Sequence, residues 1–196
     1  MDSCICRRSA HDDRGRIVLS ERDAGILQTV SKMNSSLLLE KLLQLWRFKK
    51  ALAYTAGDVL DFGGNGGELI KHLICYKTYQ CVNDIRDANG KYDTIVMLAV
   101  IEHIAVADIE GIMKQLIERL NPGGKIVITT PSRILRRPLE LLAKAGLLDN
   151  KNISEHKYYW SKLDFLRTGR AFKLFVEYRR FQFGLNQLVI YKKDQQ

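Results

Sequence analysis

A glycine-rich turn directly follows an apolar strand in this sequence. Residues 61–67 read Asp-Phe-Gly-Gly-Asn-Gly-Gly, after a strand predicted at residues 58–62. Glycine allows the backbone to adopt positive φ and to approach a bound ligand closely, because it has no Cβ. When a helix begins after such a turn, its first N–H groups face the ligand. The segment is a candidate ligand-binding loop, and its alternative is an ordinary tight turn between a strand and a helix.

The elements that position this turn alternate between helices and strands. Ser35 and Ser36 precede a long amphipathic helix, whose apolar positions we take as Leu38, Leu42, Leu45, Trp46 and Leu52, and which ends near Gly57. The remaining pattern predicts strands at 58–62, 79–84, 92–100 and 125–130, and helices at 67–76, 108–120 and 138–146. A further helix is predicted to begin at the capping box of Ser161 and Asp164. After it the pattern predicts an antiparallel hairpin that turns around residues 183–186.

One connection in this pattern is too short for a helix. The chain has only nine steps between Asp84 and Asp93, which span about 30 Å when extended. A helical crossover between parallel strands needs about a dozen residues or more. We therefore predict an α/β fold with a doubly wound, mainly parallel Rossmann-like sheet, a C-terminal antiparallel hairpin, and one strand-helix unit missing.

Length and composition predict one globular domain. The chain has 196 residues, 46% hydrophobic and 27% charged, which is ordinary for a folded protein. We expect residues 1–30, which show no sustained period, to be a mobile arm or lid, and residues 31–196 to form the domain. No apolar run is long enough to span a bilayer or to serve as a secretory signal, so we expect a cytoplasmic protein without a transmembrane segment.

Charge and cysteine usage narrow the classes of partner. The net charge of +9 admits an anionic small molecule, nucleic acid or an acidic membrane surface. The basic residues occur as pairs on separate segments, which is typical of solvated surface. Cys4, Cys6 and His11 are three ligands at irregular spacing, short of a structural zinc site, so we expect no metal.

Three segments together resemble a known family. They are DFGGNGG at 61–67, KYDTIVMLAVIEHI at 91–104 and LNPGGKIVITTPS at 120–132. In their residues and in their order along the chain, they are similar to the first, fourth and fifth strand regions of class I S-adenosylmethionine-dependent methyltransferases of the small-molecule type. The resemblance covers residues 57–132 and implies S-adenosylmethionine as the cofactor.

The resemblance also implies the residues that bind this cofactor. Asp61, Gly63 and Gly67 match the family's D-x-G-x-G-x-G loop, and Asn65 replaces its middle glycine. Asparagine tolerates left-handed backbone better than most residues, so we expect binding to survive. The implied cofactor-binding set is Asp61, Phe62, Gly63, Gly64, Asn65, Gly67, Asp84, Ile85, Leu98 and Ala99.

Two parts of this set have alternatives, and three residues outside it also match the family's pattern. Asp84 matches the acid that accepts hydrogen bonds from both ribose hydroxyls, and the less favoured alternative is a turn-forming aspartate. Leu98 and Ala99 end a strand at the ligand crevice, and they could equally be core. Asp87 is a weaker candidate for an adenine contact. Glu102 and His103 match a pair common in the family, for which we favour a structural or pocket-rim role over catalysis.

The acceptor side is predicted from residues outside these segments. If the acceptor is a hydroxyl, His156 could remove its proton, and the alternative is a surface histidine packed on aromatic rings. Tyr159 follows in the same aromatic loop. Arg136 and Arg137 come soon after the strand at 125–130, which places two positive charges near the crevice. In the pair Arg179-Arg180, only one side chain can reach the pocket, because neighbours on a strand point to opposite faces.

The resemblance implies S-adenosylmethionine-dependent methyl transfer, and we expect a small-molecule acceptor methylated at oxygen or carbon. An anionic acceptor would suit the arginines. Two alternatives stay open: an RNA methyltransferase, which the positive charge permits, and a noncatalytic module that has kept the fold for partner binding. The sequence lacks the Asn/Asp-Pro-Pro-aromatic tetrapeptide of many base amino-methyltransferases, so nucleic acid is the less favoured partner.

Overall fold

A computed structural model describes residues 35–133 and 157–194, with side chains from residue 41 onward. The arm or lid predicted at residues 1–30, with Cys4, Cys6 and His11, lies outside the described residues, as do the helix predicted at 138–146, Arg136, Arg137 and His156. The described helices are α1 (Ser35–Leu52), α2 (Val106–Glu118) and α3 (Lys162–Ala171). The strands are β1 (Asp58–Phe62), β2 (Thr78–Val82), β3 (Tyr92–Leu98), β4 (Leu120–Pro131), β5 (Phe175–Phe181) and β6 (Asn186–Lys192).

The six strands form one mixed sheet in the order β2-β1-β3-β4-β6-β5. The pairs β2-β1, β1-β3 and β3-β4 are parallel, whereas β4-β6 and β6-β5 are antiparallel. Because β2 and β3 lie on opposite sides of β1, the strand order reverses beside β1, and ligands of open α/β sheets bind at such a point. The predicted fold class is confirmed, including the C-terminal hairpin.

Apolar side chains cover both faces of the sheet, which explains the nearly unbroken apolar runs of β3 and β4. On one face α1 buries Phe48 and Ala51 against Val59, Val96 and Val127. On the other face α2 and α3 contribute Ile109, Met113, Leu116 and Phe165 to a larger cluster that includes Leu60, Ile95, Ile128, Trp160 and Tyr191.

The return from β2 to β3 is as short as predicted, and it contains only a single turn of 3-10 helix, Ile85–Asp87. The side chain of Gln80 holds this return against β2. Its Nε2 donates to the carbonyl of Asp87 at 3.0 Å, and its Oε1 accepts from the backbone N–H of Asn89 at 3.0 Å and from the hydroxyl of Tyr92. These three bonds replace the packing that a crossover helix would supply.

The helix predicted at residues 67–76 is reduced to a 3-10 helix, Glu68–His72. Leu69 is the one buried residue in this turn, while Ile74 and Tyr76 beyond it are exposed. A short helix that buries only one of its apolar residues has little to stabilise it, so the 3-10 helix ends at His72.

The helix predicted from Ser161 is confirmed as α3, with both bonds of the capping box present. The Asp164 N–H donates to Ser161 Oγ at 3.3 Å, and the Ser161 N–H donates to Asp164 Oδ2 at 2.8 Å. Gly169 in α3 allows the helix to approach β5 closely, since a Cβ there would lie 2.1 Å from Val176 Cγ2. Within the described part of the chain, no helix is both long and apolar enough to cross a membrane.

Candidate functional site

A cavity of about 420 Å³ opens at the carboxyl edge of the parallel strands, between the glycine turn, α1 and the end of β3. We call it the glycine-loop cavity. It lies where the strand order reverses beside β1, as expected for a ligand site in an open α/β sheet. Its lining consists of Gln44, Arg47, Phe48, Asp61, Gly63, Gly64, Asn65, Gly66, Glu68, Leu69, Leu98 and Ala99.

The glycine turn that forms one wall requires glycine at two positions for different reasons. Gly63 has φ +80°, and its N–H donates to the carbonyl of Val82 at 2.8 Å, which ties the turn to the end of β2. A Cβ at Gly63 would lie 2.6 Å from the Val100 side chain. A Cβ at Gly64 would lie 2.2 Å from Asp61 Oδ2. The loop backbone is therefore open to a ligand and closed to larger side chains.

Asn65 adopts the left-handed conformation that its position demands, with φ +46°. Its N–H donates to Asn83 Oδ1 at 3.3 Å, so the return after β2 also supports the loop. Gly67 has φ +63° and precedes the 3-10 helix. Asparagine at the middle position of the loop is thus compatible with the turn, because asparagine enters this region of φ more readily than other side chains.

Asp61 is a buried acid on the floor of the cavity, 3% exposed. The Tyr79 hydroxyl donates to its Oδ2 at 2.7 Å. Burial raises the pKa of Asp61, and the bond from Tyr79 opposes part of that rise. Burial and the neighbouring carboxylate raise the pKa of Tyr79 as well, so the tyrosine remains a hydrogen-bond donor.

Helix α1 supplies a wall that the sequence analysis did not assign to the site. Gln44, Arg47 and Phe48 line the cavity, and the Phe48 ring contacts the His72 ring in a tilted arrangement, with 5.3 Å between the ring centroids. The predicted apolar face of α1 was wrong at Leu42 and Trp46, which are about half exposed, whereas Leu52 packs against the buried cluster of this face. The helix carries two apolar stripes, and the one formed by Phe48 and Ala51 is buried on the sheet. The helical spacing of Gln44, Arg47 and Phe48 is the signal that could have identified this wall.

Leu98 and Ala99 line the cavity from the end of β3. Ala99 has φ +57°, an uncommon value for a residue with a Cβ, and its N–H donates to the carbonyl of Thr129 at 2.8 Å. Strained backbone of this kind concentrates at functional sites. Of the two alternatives for this pair, the position at the crevice fits better than the position in the core.

The structure divides the other predicted cofactor-binding residues into two groups. Phe62 and Ile85 are buried in the core and do not line the glycine-loop cavity. Asp84 caps the 3-10 helix after β2, with Oδ1 accepting from the Arg86 N–H at 2.9 Å, and it forms an ion pair with the Arg86 guanidinium. These bonds lower the pKa of Asp84 to about 2. Asp84 therefore caps the turn after β2, and its carboxylate stays ionised at the carboxyl end of that strand.

Glu102 joins the end of β3 to the aromatic segment of residues 157–160. Its carbonyl oxygen accepts the N–H groups of Lys157 at 2.8 Å and Tyr158 at 3.2 Å. Its side chain is 1% exposed, and burial raises the pKa of Glu102 to about 7. The predicted substrate residue Tyr159 is half-buried in this segment.

The two arginines of β5 lie on opposite faces of the sheet, as predicted from strand geometry. Arg179 contacts the Tyr54 ring on the α1 side and pairs with Glu177 at 2.7 Å. Arg180 donates through Nε to the Tyr178 hydroxyl at 3.1 Å. Neither arginine lines the glycine-loop cavity. No group of three or more potential metal ligands occurs among the side chains that the structure describes.

Among known proteins, the chain matches one family model and is similar in fold to many solved structures. Residues 30–174 match the model of a family described as a methyltransferase domain. No curated protein matches the chain.

Among solved structures, an O-methyltransferase family protein from Burkholderia thailandensis superposes with a TM-score of 0.53 and 14% identity, covering 88% of this chain. The chain spans only 56% of that protein's length. The N-methyltransferase NodS from Bradyrhizobium japonicum superposes with a TM-score of 0.51 and 15% identity, covering 79% of this chain and 95% of that one.

A third solved structure, from Haloferax volcanii, is a complex of the Trm112 methyltransferase activator with a methyltransferase. It superposes with a TM-score of 0.57 and 14% identity, covering 76% of this chain and 90% of that chain. At these identities the superpositions establish the shared fold.

Proposed function

Because the chain belongs to the methyltransferase domain family, we propose that it binds S-adenosylmethionine in the glycine-loop cavity and transfers the methyl group to a small-molecule acceptor. The single observation that carries this proposal is the cavity itself, in which an open glycine turn, a buried acid and a strained strand end meet at the carboxyl edge of the sheet.

The residues present fit the amino-acid end of this cofactor. A cavity of about 420 Å³ lies in the usual range for a small-molecule site. Its walls carry Asp61 and Glu68 as acids, Arg47 as a base and Gln44 as an amide, so that an ammonium and a carboxylate group can both find a partner. Gly63 and Gly64 present bare backbone to the cavity, and a side chain at either position would collide with Val100 or Asp61.

Asp84 is the residue we propose for the ribose. It lies at the carboxyl end of β2, next to the glycine loop, and ionised oxygens accept hydrogen bonds well. The Arg86 guanidinium, whose side chain is 82% exposed, would share the carboxylate with the two hydroxyls or release it. Since the unit that would carry the usual adenine acid is missing, we propose apolar contacts for the adenine.

The chain's own contribution to catalysis is positioning and exclusion of water. When bound, the cofactor supplies a methyl group activated by a sulfonium. The loop and α1 would hold it from two sides, while the end of β3 and the segment 157–160 would frame the acceptor. We propose His156, Tyr159, Arg136 and Arg137 for the acceptor side, with His156 as the proton acceptor if the acceptor is a hydroxyl.

Titration calorimetry with S-adenosylmethionine and S-adenosylhomocysteine tests the cofactor. We expect both ligands to bind the wild-type protein and to raise its melting temperature. Absence of heat and of thermal stabilisation at millimolar ligand, with folded protein, would overturn the proposal.

Radiolabelled methyl transfer tests the acceptor class. The labelled cofactor is supplied with a small-molecule extract in one arm and with total RNA in the other. We expect label in the small-molecule arm, and label confined to RNA would replace the proposed acceptor class with nucleic acid.

A further inference from the structure

Glu102 is a buried acid that the proposed function has not used. Its side chain is 1% exposed, and neither carboxylate oxygen has a hydrogen-bond partner among the residues that the structure describes. An ionised carboxylate without partners is costly to bury. A carboxyl placed in this way changes its protonation state readily when a charge arrives nearby.

Buried polar groups at the end of β4 and in the segment 157–160 are also unsatisfied. Buried polar atoms of Thr130, Ser132 and Trp160 also lack partners within the described part of the chain. The Thr130 hydroxyl lies close enough to lower the pKa of Glu102 slightly, although its geometry falls short of a hydrogen bond. Native structures satisfy most buried polar groups, so the Glu102 carboxylate lacks the partners that would hold it in one charge state. Neither Glu102 nor these three residues line the glycine-loop cavity, so a charge bound there would act on Glu102 through space.

Two observations connect Glu102 with the glycine-loop cavity. Glu102 follows Ala99, a lining residue, by three positions, which limits their separation to about 11 Å. Arg47, which lines the opposite wall, acts electrostatically on the Glu102 carboxyl and lowers its pKa. A positive charge placed inside the cavity should act in the same direction.

We propose that Glu102 is the counterion of the cofactor's sulfonium, ionised while the charged cofactor is bound and protonated when the neutral product is bound. This inference rests on the proposed binding of S-adenosylmethionine. It makes Glu102 a positioning residue that acts through its charge, without contact with the reacting atoms.

The charges balance through the reaction. Methyl transfer forms the bond from the acceptor to carbon and breaks the bond from sulfur to carbon. The electron pair stays on sulfur, which loses its positive charge, and the acceptor releases a proton. Uptake of one proton by the Glu102 carboxylate matches that loss of charge. Before transfer the positive sulfonium is paired with a negative carboxylate, and after transfer the neutral sulfide is paired with a neutral carboxyl. Each pair therefore carries no net charge.

Other charged groups around Glu102 do not provide this balance. Arg47 faces it from α1, His103 follows it on its own turn, Lys157 belongs to the segment bonded to its carbonyl, and Arg133 follows β4. All of these charges are present whether S-adenosylmethionine or S-adenosylhomocysteine is bound, so they act equally on the Glu102 carboxyl in the two complexes. The sulfonium is the charge that differs between cofactor and product.

Calorimetry in buffers of different ionisation enthalpy, at pH 6.5, measures the protons released on binding. We expect wild-type protein to release about half a proton more with S-adenosylmethionine than with S-adenosylhomocysteine, because a carboxyl with a pKa near 7 is mostly protonated before binding. Glu102→Gln should abolish the difference, while Glu118→Gln, a change at an exposed glutamate on α2, should retain it.

The ratio of the two affinities provides a second measurement. Preference for S-adenosylmethionine over S-adenosylhomocysteine should rise about fivefold from pH 6 to pH 8 in the wild type, for one pKa unit of coupling, and stay constant in Glu102→Gln. If that variant does not fold, infrared difference spectra of the wild type decide the question. The C=O band of a protonated carboxyl should disappear with the charged ligand and persist with the neutral one.

The outcomes separate this inference from the proposed function. Binding of both ligands with equal proton release and an unchanged carboxyl band would overturn the role of Glu102 and leave cofactor binding intact. Binding of neither ligand would overturn both.

Discussion

The Tyr79 hydroxyl on β2 donates a 2.7 Å hydrogen bond to Asp61 Oδ2 on β1, beneath the glycine loop. The two strands are parallel neighbours, and Asp61 pairs with Cys81 in their register. The bond fixes the direction of the buried acid. It also opposes the rise that burial causes in the pKa of Asp61, so the geometry of one strand pair controls the charge on the cavity floor.

Asp61→Asn should weaken the cofactor while stabilising the fold. Because the folded-state pKa of Asp61 is raised, its ionised form costs stability that grows as pH rises from the unfolded value through the folded one. The amide keeps an acceptor for Tyr79 without the charge. We expect a melting temperature at pH 7 higher by about 2–4 °C, or about 1 kcal/mol, and cofactor affinity lower by about tenfold or more. Unchanged values of both would contradict this role for Asp61.

Gly64→Ala should disturb the loop far more than Gly66→Ala. A Cβ at Gly64 would lie 2.2 Å from Asp61 Oδ2, whereas a Cβ at Gly66 meets nothing within 4 Å. Overpacking of this kind costs about 1–3 kcal/mol. Urea denaturation should detect that loss for Gly64→Ala and a change of less than about 0.5 kcal/mol for Gly66→Ala. Equal losses would mean that space at Gly64 is not the constraint.

Asp84→Ala should reduce cofactor affinity more than Asp87→Ala does. Asp84 lies at the carboxyl end of β2, and its paired carboxylate has a pKa near 2, so it is ionised throughout the neutral range. Loss of a charged hydrogen-bond acceptor costs about 1–3 kcal/mol, or about five- to 150-fold in the dissociation constant. Asp87 is exposed, and we expect less than a twofold change there. Equal losses measured by calorimetry would remove Asp84 from the ribose.

Glu102→Gln should flatten the dependence of stability on pH. The pKa of Glu102 rises from 4.5 to about 7 on folding, so the folded state favours the protonated form. The free energy of unfolding should fall as pH rises from about 4.5 to about 7 and then level off. The difference between the variant and the wild type should therefore grow with pH, to on the order of 3 kcal/mol. A constant difference between pH 5 and pH 8 would contradict it, and Glu118→Gln serves as the exposed control.

Much of the sheet could be predicted because its signals are local. The bounds of β1, the capping box of α3 and the hairpin of β5 and β6 follow from residue types and short spacings. The missing unit follows from counting residues between Asp84 and Asp93. The glycine loop could be located because only glycine, and asparagine at one position, suit its backbone.

The features that sequence analysis missed depend on contacts between distant segments. The phase of α1 is set by the sheet that it packs on, so the helix buries Phe48 and exposes Trp46 although both are apolar. The helix predicted at 67–76 had the right residues but lacked a surface to cover. The isolation of the Glu102 carboxyl arises from the packing of β3, β4 and the segment 157–160, which no spacing in the sequence encodes.

The short return after β2 makes one edge of the sheet a place where this chain can accept new segments. Among the described strands, β2 pairs with β1 alone. Gly90 in the return is exposed, with φ +99° and open space around its Cα. Exposed turns of this kind tolerate insertion. A strand and helix inserted between Asn89 and Gly90 could extend the sheet beside β2 and leave the registers of the five existing strand pairs as they are. The return is thus a suitable position for grafting an adenine-binding unit or a reporter domain.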